Sequence, residues 1–304
     1  MSFLMKKNTL FIVGRMPPPV GGVTSFNIQI QALLDSLGQP TKLIEGVRDI
    51  LSAVNPNQRK HVLLSLSHRL AIFLIATCFR TFGHSVAVII HGDIERGSQT
   101  NTLIARLISL VSNYTIVLNK SSYHYLGENR KVLCLGTNLA HESQADSDSL
   151  SSKRTYITYA HRKEVDSRGR DIYGISFLYS FFSKSDKQLV IIDPSNSYKH
   201  LKDNENIRIY RSSVNVNEFL GPKFIYLRNT STDGDSLFVH EAMNRGSIVI
   251  ASDIVSRPPG VLLMRYSNES DLKRQLETAK NYIPPTPTSH YNQWSEFLLD
   301  FCNE

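Results

Sequence analysis

Short β-branched runs return along the whole chain, separated by stretches with helical spacing. The first five are TLFIVG (9–14), HVLLSL (61–66), SVAVIIH (85–91), YTIVL (114–118) and KVLCL (131–135). A strand that is apolar at nearly every position must be covered on both faces, the condition of a parallel sheet with helices packed above and below it. The pattern then stops. Residues 141–153, HESQADSDSLSSK, are polar and serine-rich with no periodicity, which is linker composition. It restarts with TYITYA (155–160), QLVIID (188–193), IRIY (207–210), KFIYL (223–227), SIVIAS (247–252) and VLLM (261–264). The expected organisation is one α/β domain over 1–145, a linker over 146–153, a second α/β domain over 154–285, and a crossing segment with a last amphipathic helix over 286–304. Two such domains imply a cleft between them, and ligands of open α/β sheets lie beyond the carboxyl ends of the strands.

The chain has 304 residues, enough for two domains that each bury a core. Its 34 basic and 27 acidic residues leave a formal charge of +7, which favours anionic partners without choosing among nucleotide phosphates, nucleic acid and an anionic membrane face. Three cysteines, Cys78, Cys134 and Cys302, have no metal-ligand spacing and fit a reducing cytoplasm. The N-terminus lacks the apolar core and cleavage site of a signal peptide and reads as a first strand. The most apolar internal stretch, Leu70 to Cys78, is far shorter than the roughly 20 residues of a spanning helix. Flanked by Arg69 and Arg80, it reads as a core helix or as a helix lying on anionic lipid.

Two segments carry chemistry. In GRMPPPVGGVTSF the first strand ends near Gly14 and a helix begins near Val23, so Gly21 and Gly22 stand at a helix mouth where backbone N–H groups can approach an anion. A tight turn without a ligand uses the same pair. The dinucleotide fingerprint and the P-loop are both excluded, because neither G-x-G-x-x-G nor G-K-[ST] is present. In TDGDSLFVHEAMNRG (232–246), Asp235 or Ser236 is a natural N-cap and Gly246 a stop. The orphan amides of residues 235–238 would favour phosphate through hydrogen bonds and the helix dipole, and Gly234, Asp235, Ser236 and Leu237 are the donor-binding candidates here. Glu241, one turn inside, suits a ribose diol, and Asp233, outside the helix, would face sugar hydroxyls. Acidic groups at a helix start also serve simply as caps.

The stretch D-G-D-S-L-F-V-H-E-A-M-N-R-G-S-I-V-I-A-S-D (233–253) resembles the E-x₇-E region of the retaining, family-four GT-B glycosyltransferases, with Asp233 in place of the first Glu and Glu241 as the second. PPPVGGVTSF resembles the family's Gly-Gly loop, IIHG (89–92) its strand ending in His, and CLGTNL (134–139) the strand before its hinge. The resemblance implies an α/β GT-B fold of two Rossmann-like domains facing a central cleft. It implies Gly21 and Gly22 beside the donor phosphates and the acceptor, His91 beside the reacting sugar, Asp233 on that sugar and Glu241 on the ribose. It also implies an Arg and a Lys on the diphosphate. Arg162 fits the Arg, but Tyr173-Gly174 stands where Lys-Gly is expected, so Arg168 or Arg170 from a lengthened loop and Arg228 after KFIYL are the candidates to replace it.

The triplets Asp146-Ser147-Asp148 and Asp233-Gly234-Asp235 are read as linker and helix start, and no metal requirement is expected. The function the resemblance implies is retaining, metal-independent transfer of a sugar from a nucleotide diphosphate-sugar to a glycan. The acceptor class it suggests is lipid-linked O-antigen or capsule oligosaccharide at the inner face of the cytoplasmic membrane. No cofactor and no nucleic acid is implied. The rivals are a nucleotide-sugar 2-epimerase and a catalytically silent module in polysaccharide assembly.

Overall fold

A computed structural model describes residues 8–16, 22–54, 58–92, 94, 99–127, 131–140 and 154–304. Gly21, the serine-rich stretch 141–153 and the Asp146-Ser147-Asp148 triplet lie outside the described residues. The chain divides into two compact units, one made of Met1–Leu139 with Ser289–Glu304, the other of Ala140–Thr288.

In the first unit the elements run β1 (Leu10–Gly14), α1 (Gly22–Ser36), β2 (Thr41–Ile44), α2 (Val47–Ala53), β3 (His61–Leu66), α3 (Arg69–Thr81), β4 (Ser85–Ile90), α4 (Gln99–Val111), β5 (Tyr114–Val117), α5 (Lys120–Leu126) and β6 (Val132–Cys134). The strands pair in parallel in the order β2-β1-β3-β4-β5-β6. β4 is buried at every residue, the outcome its unbroken apolar run demands. β2 was not expected from the sequence: TKLI is an edge strand, and only Ile44 of it is buried. α3 lays Ile72, Ala76 and Phe79 into the core and leaves Leu70 and Leu74 exposed.

The second unit runs β7 (Thr155–Tyr159), α6 (Ile175–Phe182), β8 (Leu189–Ile192), β9 (Ile207–Tyr210), β10 (Phe224–Arg228), α7 (Leu237–Asn244), β11 (Ile248–Ser252), β12 (Leu262–Met264) and α8 (Glu269–Ala279). Its sheet is again all parallel, in the order β12-β11-β10-β7-β8-β9. Strand order reverses between β7 and β10 here, and between β1 and β3 in the first unit. At such switch points the loops leave the strand ends in opposite directions and open a crevice where α/β sheets bind ligands.

The last helix, α9 (Tyr291–Asn303), belongs to the first unit. Trp294, Leu298, Phe301 and Cys302 are its buried face. Trp294 packs edge-on to Phe26 of α1 and donates from Nε1 to the Gly136 carbonyl at 2.9 Å. Phe301 meets His61 edge-on, and Tyr114 hydrogen-bonds the Glu304 carboxylate.

His61 and His84 are buried at the start of β3 and β4, and burial, helped by the nearby Arg59 and Lys60 charges, holds both rings below the usual histidine pKa. The unfolded chain therefore binds protons that the folded unit refuses. The stability is complete above about pH 6.5 and is lost as pH falls below it. The urea midpoint read from Trp294, the single tryptophan, is expected to drop between pH 7.5 and 5.5, and to drop less in His61→Leu. Equal slopes for the two proteins would exclude His61 as the cause.

Candidate functional site

The switch point of the first unit is built from small groups in close contact. Gly14 ends β1 opposite Ser65 of β3, and a Cβ at Gly14 would sit 2.7 Å from Asn27 Nδ2 and 2.9 Å from the Ser65 carbonyl. Its missing side chain lets Asn27, on α1, reach across the strand end and donate to the Arg15 carbonyl at 3.0 Å. Ser65 Oγ donates to Asn27 Oδ1 and lies 2.9 Å from His91 Nε2, so three side chains from α1, β3 and the end of β4 form one chain of hydrogen bonds. Asn27 and Ser65 are buried and His91 is half-buried. Burial pushes the His91 pKa down to about 4, which keeps the ring neutral at physiological pH. Asn27 and Ser65 were not singled out in the sequence; neither belongs to a recognisable spacing.

Gly22 is the first residue of α1, earlier by one than expected, and a Cβ placed on it would meet nothing within 4 Å among the described residues.

In the second unit the loops after β7, β10 and β11 converge. β10 ends at Arg228, and the loop that follows carries Asp233 back onto it. Arg228 donates to Asp233 through Nε at 2.9 Å and Nη2 at 2.8 Å, a bidentate pair. From the loop after β11, Arg257 donates to Asp233 Oδ2 at 2.8 Å, to the Ser252 carbonyl at 3.1 Å and to Thr230 Oγ1 at 3.3 Å. Thr230 Oγ1 and the Gly234 amide add two more donors to the same carboxylate at 3.3 and 3.1 Å. Side-chain exposure is 7% for Asp233, 13% for Arg228 and 2% for Arg257. Burial alone would raise the Asp233 pKa, but the two guanidiniums outweigh it and hold the carboxyl at about 2. Asp233, expected to face sugar hydroxyls, is thus engaged within its own unit. Arg257 carries no sequence signal, since it stands alone in VSRPPG, 24 residues from its partner.

The start of α7 differs from the expected cap. Ser236 is the N-cap by backbone geometry, but its side chain makes no capping bond, and Asp235 pairs with His240 Nε2 at 2.8 Å. The loop from Thr232 to Ser236 is half-buried, while Leu237 is packed inward. A helix start without a side-chain cap can present first-turn amides to an anion. Glu241 sits one turn in, and burial pushes its pKa up to about 7 against the opposing charges of Arg245 and His240.

The lengthened loop after β7 folds on itself. Val165 bridges Asp171, and Asp166 accepts from Arg170 Nε at 2.7 Å, while Arg170 Nη2 reaches the Ser231 carbonyl at 3.5 Å and the guanidinium lies over the Tyr266 ring. Arg162 is exposed and paired with Glu164, and Arg168 is exposed. Asp171 accepts from the Ile175 amide at 3.0 Å and caps α6. Gly174 has φ +57, and a Cβ there would sit 2.7 Å from the Asn229 carbonyl, so loop and strand end meet only through a glycine. Tyr173, in the place of the expected Lys, lies under the Arg228 guanidinium at 5.4 Å. Among the described residues no three His, Cys, Asp or Glu side chains gather as a metal site would require.

No protein-family model matches the chain, and no curated protein matches its sequence. Solved structures match its fold. HepE from Anabaena, in complex with UDP, superposes with a TM-score of 0.66 at 12% identity, over 97% of this chain and 93% of that one. Sucrose-phosphate synthase from Thermosynechococcus elongatus gives 0.63 at 13% identity, over 97% and 94%. A Listeria monocytogenes protein described as a UDP-N-acetylglucosamine 2-epimerase gives 0.64 at 13% identity, over 97% and 95%. The two parallel sheets are Rossmann-like and match GT-B glycosyltransferase structures, as the sequence led us to expect.

The folded pKa of Glu241 lies above the unfolded carboxylate value, so its charge costs stability increasingly as pH rises from about 4.5 through 7, and by a constant amount above that. Glu241→Gln is expected to stabilise the ligand-free protein by up to about 3 kcal/mol at pH 8 and hardly at all at pH 4.5. Calorimetric melting of both proteins at the two pH values checks this; no gain at pH 8 would mean that the carboxylate is well solvated.

Proposed function

We propose that the chain is a glycosyltransferase that moves a sugar, with retention, from a nucleotide diphosphate-sugar to a glycan acceptor. The observation that carries the reading is the second unit's switch point. There, a helix start whose N-cap side chain makes no capping bond, an ion cluster of two arginines against one carboxylate, and a half-buried carboxyl one turn into the helix belong to the same strand-end loops and helix. The excess positive charge and the amides suit a diphosphate, and they suit it better as the leaving group gains charge. Preorganised donors of this kind are typically worth about 2.7–4 kcal/mol each to a transition state. Glu241, as a carboxylate, would accept from the ribose diol; binding would then draw off the proton that burial favours.

In this reading no side chain acts as nucleophile. The acceptor hydroxyl attacks from the side of the departing phosphate, which takes its proton, and neutral His91, oriented by Ser65, lies beside the sugar as positive charge develops. Gly22 supports the first unit's part, because among the described residues nothing lies within 4 Å of where its side chain would start. The HepE neighbour was solved with UDP, so uridine donors are the first to try.

A lipid-linked acceptor is proposed as well. α3 and α4 carry exposed Leu70, Leu74, Leu103 and Leu110 with Arg69, Arg80 and Arg106 and no acidic residue, a composition suited to an anionic membrane face. Among the described residues no helix is long and apolar enough to cross a membrane.

Transfer assays with UDP-, GDP- and dTDP-sugars test the central reading: one base should be preferred, and a protein that binds none of the diphosphates would refute it. Conversion of a donor to its 2-epimer without acceptor would point to an epimerase instead. Gly22→Val is expected to leave the melting temperature within a few degrees while lowering transfer at least about tenfold; unchanged transfer would remove Gly22 from the substrate.

A further inference from the structure

Resting on the nucleotide-sugar reading above, the geometry points to a different division of labour at the ion cluster. We propose that Asp233 is a positioning residue for Arg228, and that Arg228 grips the donor diphosphate in place of the Lys that Tyr173 replaces.

The hydrogen bonds of the Asp233 carboxylate leave it nothing to offer a sugar. An ionised carboxylate has about four acceptor sites. Here five donors share them: Arg228 Nε and Nη2, Arg257 Nη1, Thr230 Oγ1 and the Gly234 amide. A sugar hydroxyl could enter only by displacing a charge-assisted bond in a site that is largely shut to water.

The two arginines are not equivalent. Arg257 uses Nε, Nη1 and Nη2 on groups of its own unit and is almost fully buried, so it is a strut. Arg228 gives Asp233 one edge, Nε and Nη2, and it also interacts with the buried Tyr226 hydroxyl. It is the more exposed of the two and its Cζ lies 5.4 Å from the centre of the Tyr173 ring. Its edge is fixed by Asp233 and the Tyr173 ring lies beside it, so this guanidinium can recognise phosphate with less loss of rotamer freedom. Two guanidiniums against one carboxylate leave one excess positive charge at the carboxyl end of β10, beside the loop that leads to the α7 amides. Tyr173 therefore does indirectly what a Lys would do directly: it seats a cation that comes from another strand.

The two roles of Asp233 separate when affinities for a nucleoside monophosphate, the diphosphate and the diphosphate-sugar are compared, using the base the wild-type protein prefers. If Asp233 positions Arg228, Asp233→Ala and Arg228→Ala should each lower diphosphate affinity about tenfold or more while sparing the monophosphate, since a charge-assisted bond is worth about that much. The double variant should be little worse than either single one, as expected for residues acting as a unit. Asp233→Glu should recover part of the loss. If Asp233 binds the sugar, Asp233→Ala will keep diphosphate affinity and lose only the added affinity of the diphosphate-sugar, which would overturn the proposal. Should Asp233→Ala fail to fold, Arg228→Ala still decides, because unchanged discrimination between mono- and diphosphate overturns it equally. Wild-type protein that binds no diphosphate would refute the nucleotide-sugar reading itself, a separate result.

Discussion

Parallel strands bury both faces, and almost everything else in this molecule follows from that constraint. Strands such as β4 spend all their side chains on packing. Polar and charged groups with chemistry to do are therefore pushed to strand ends and the loops beyond them. Where strand order reverses, those loops part, and the polar groups gather there: Asn27, Ser65 and His91 in the first unit, Arg228, Asp233 and Arg257 in the second.

The sequence displayed the strands well because burial on both faces writes a continuous apolar run. It hid β2, whose TKLI pairs on one side only and exposes most of its residues. The α7 segment was legible for a similar reason: helix start, helix face and stop follow each other within fifteen residues, so local rules suffice. What Asp233 touches was not legible. Its partners come from β10, five residues back, and from a loop beyond the next strand, and only the pairing of β10 with β11 brings them together. Arg170 misled in the opposite sense. Its loop looked long enough to reach outward, yet Asp166, four residues earlier, claims it.

The two switch points differ in electrostatic character. In the first unit a neutral histidine and two neutral polar side chains make a network without net charge, kept so by burial. In the second, a buried ion cluster carries excess positive charge, and one turn into α7 burial tends to keep the Glu241 carboxyl protonated. A neutral site suits sugar hydroxyls and a charged one suits phosphates, which is the same division of substrates that the proposed reaction requires.

The return of α9 to the first unit makes that unit discontinuous in sequence. Trp294 and Phe301 close a core whose other walls lie more than a hundred and fifty residues earlier, at Gly136, Phe26 and His61. During synthesis the ribosome delivers those walls first and the closing helix last, after the whole second unit has emerged. The earlier portion must wait in an open state with the groove for Trp294 unfilled, while the contiguous second unit has every segment it needs and can fold in the meantime. The unit that begins the chain is thus completed only after the unit that follows it.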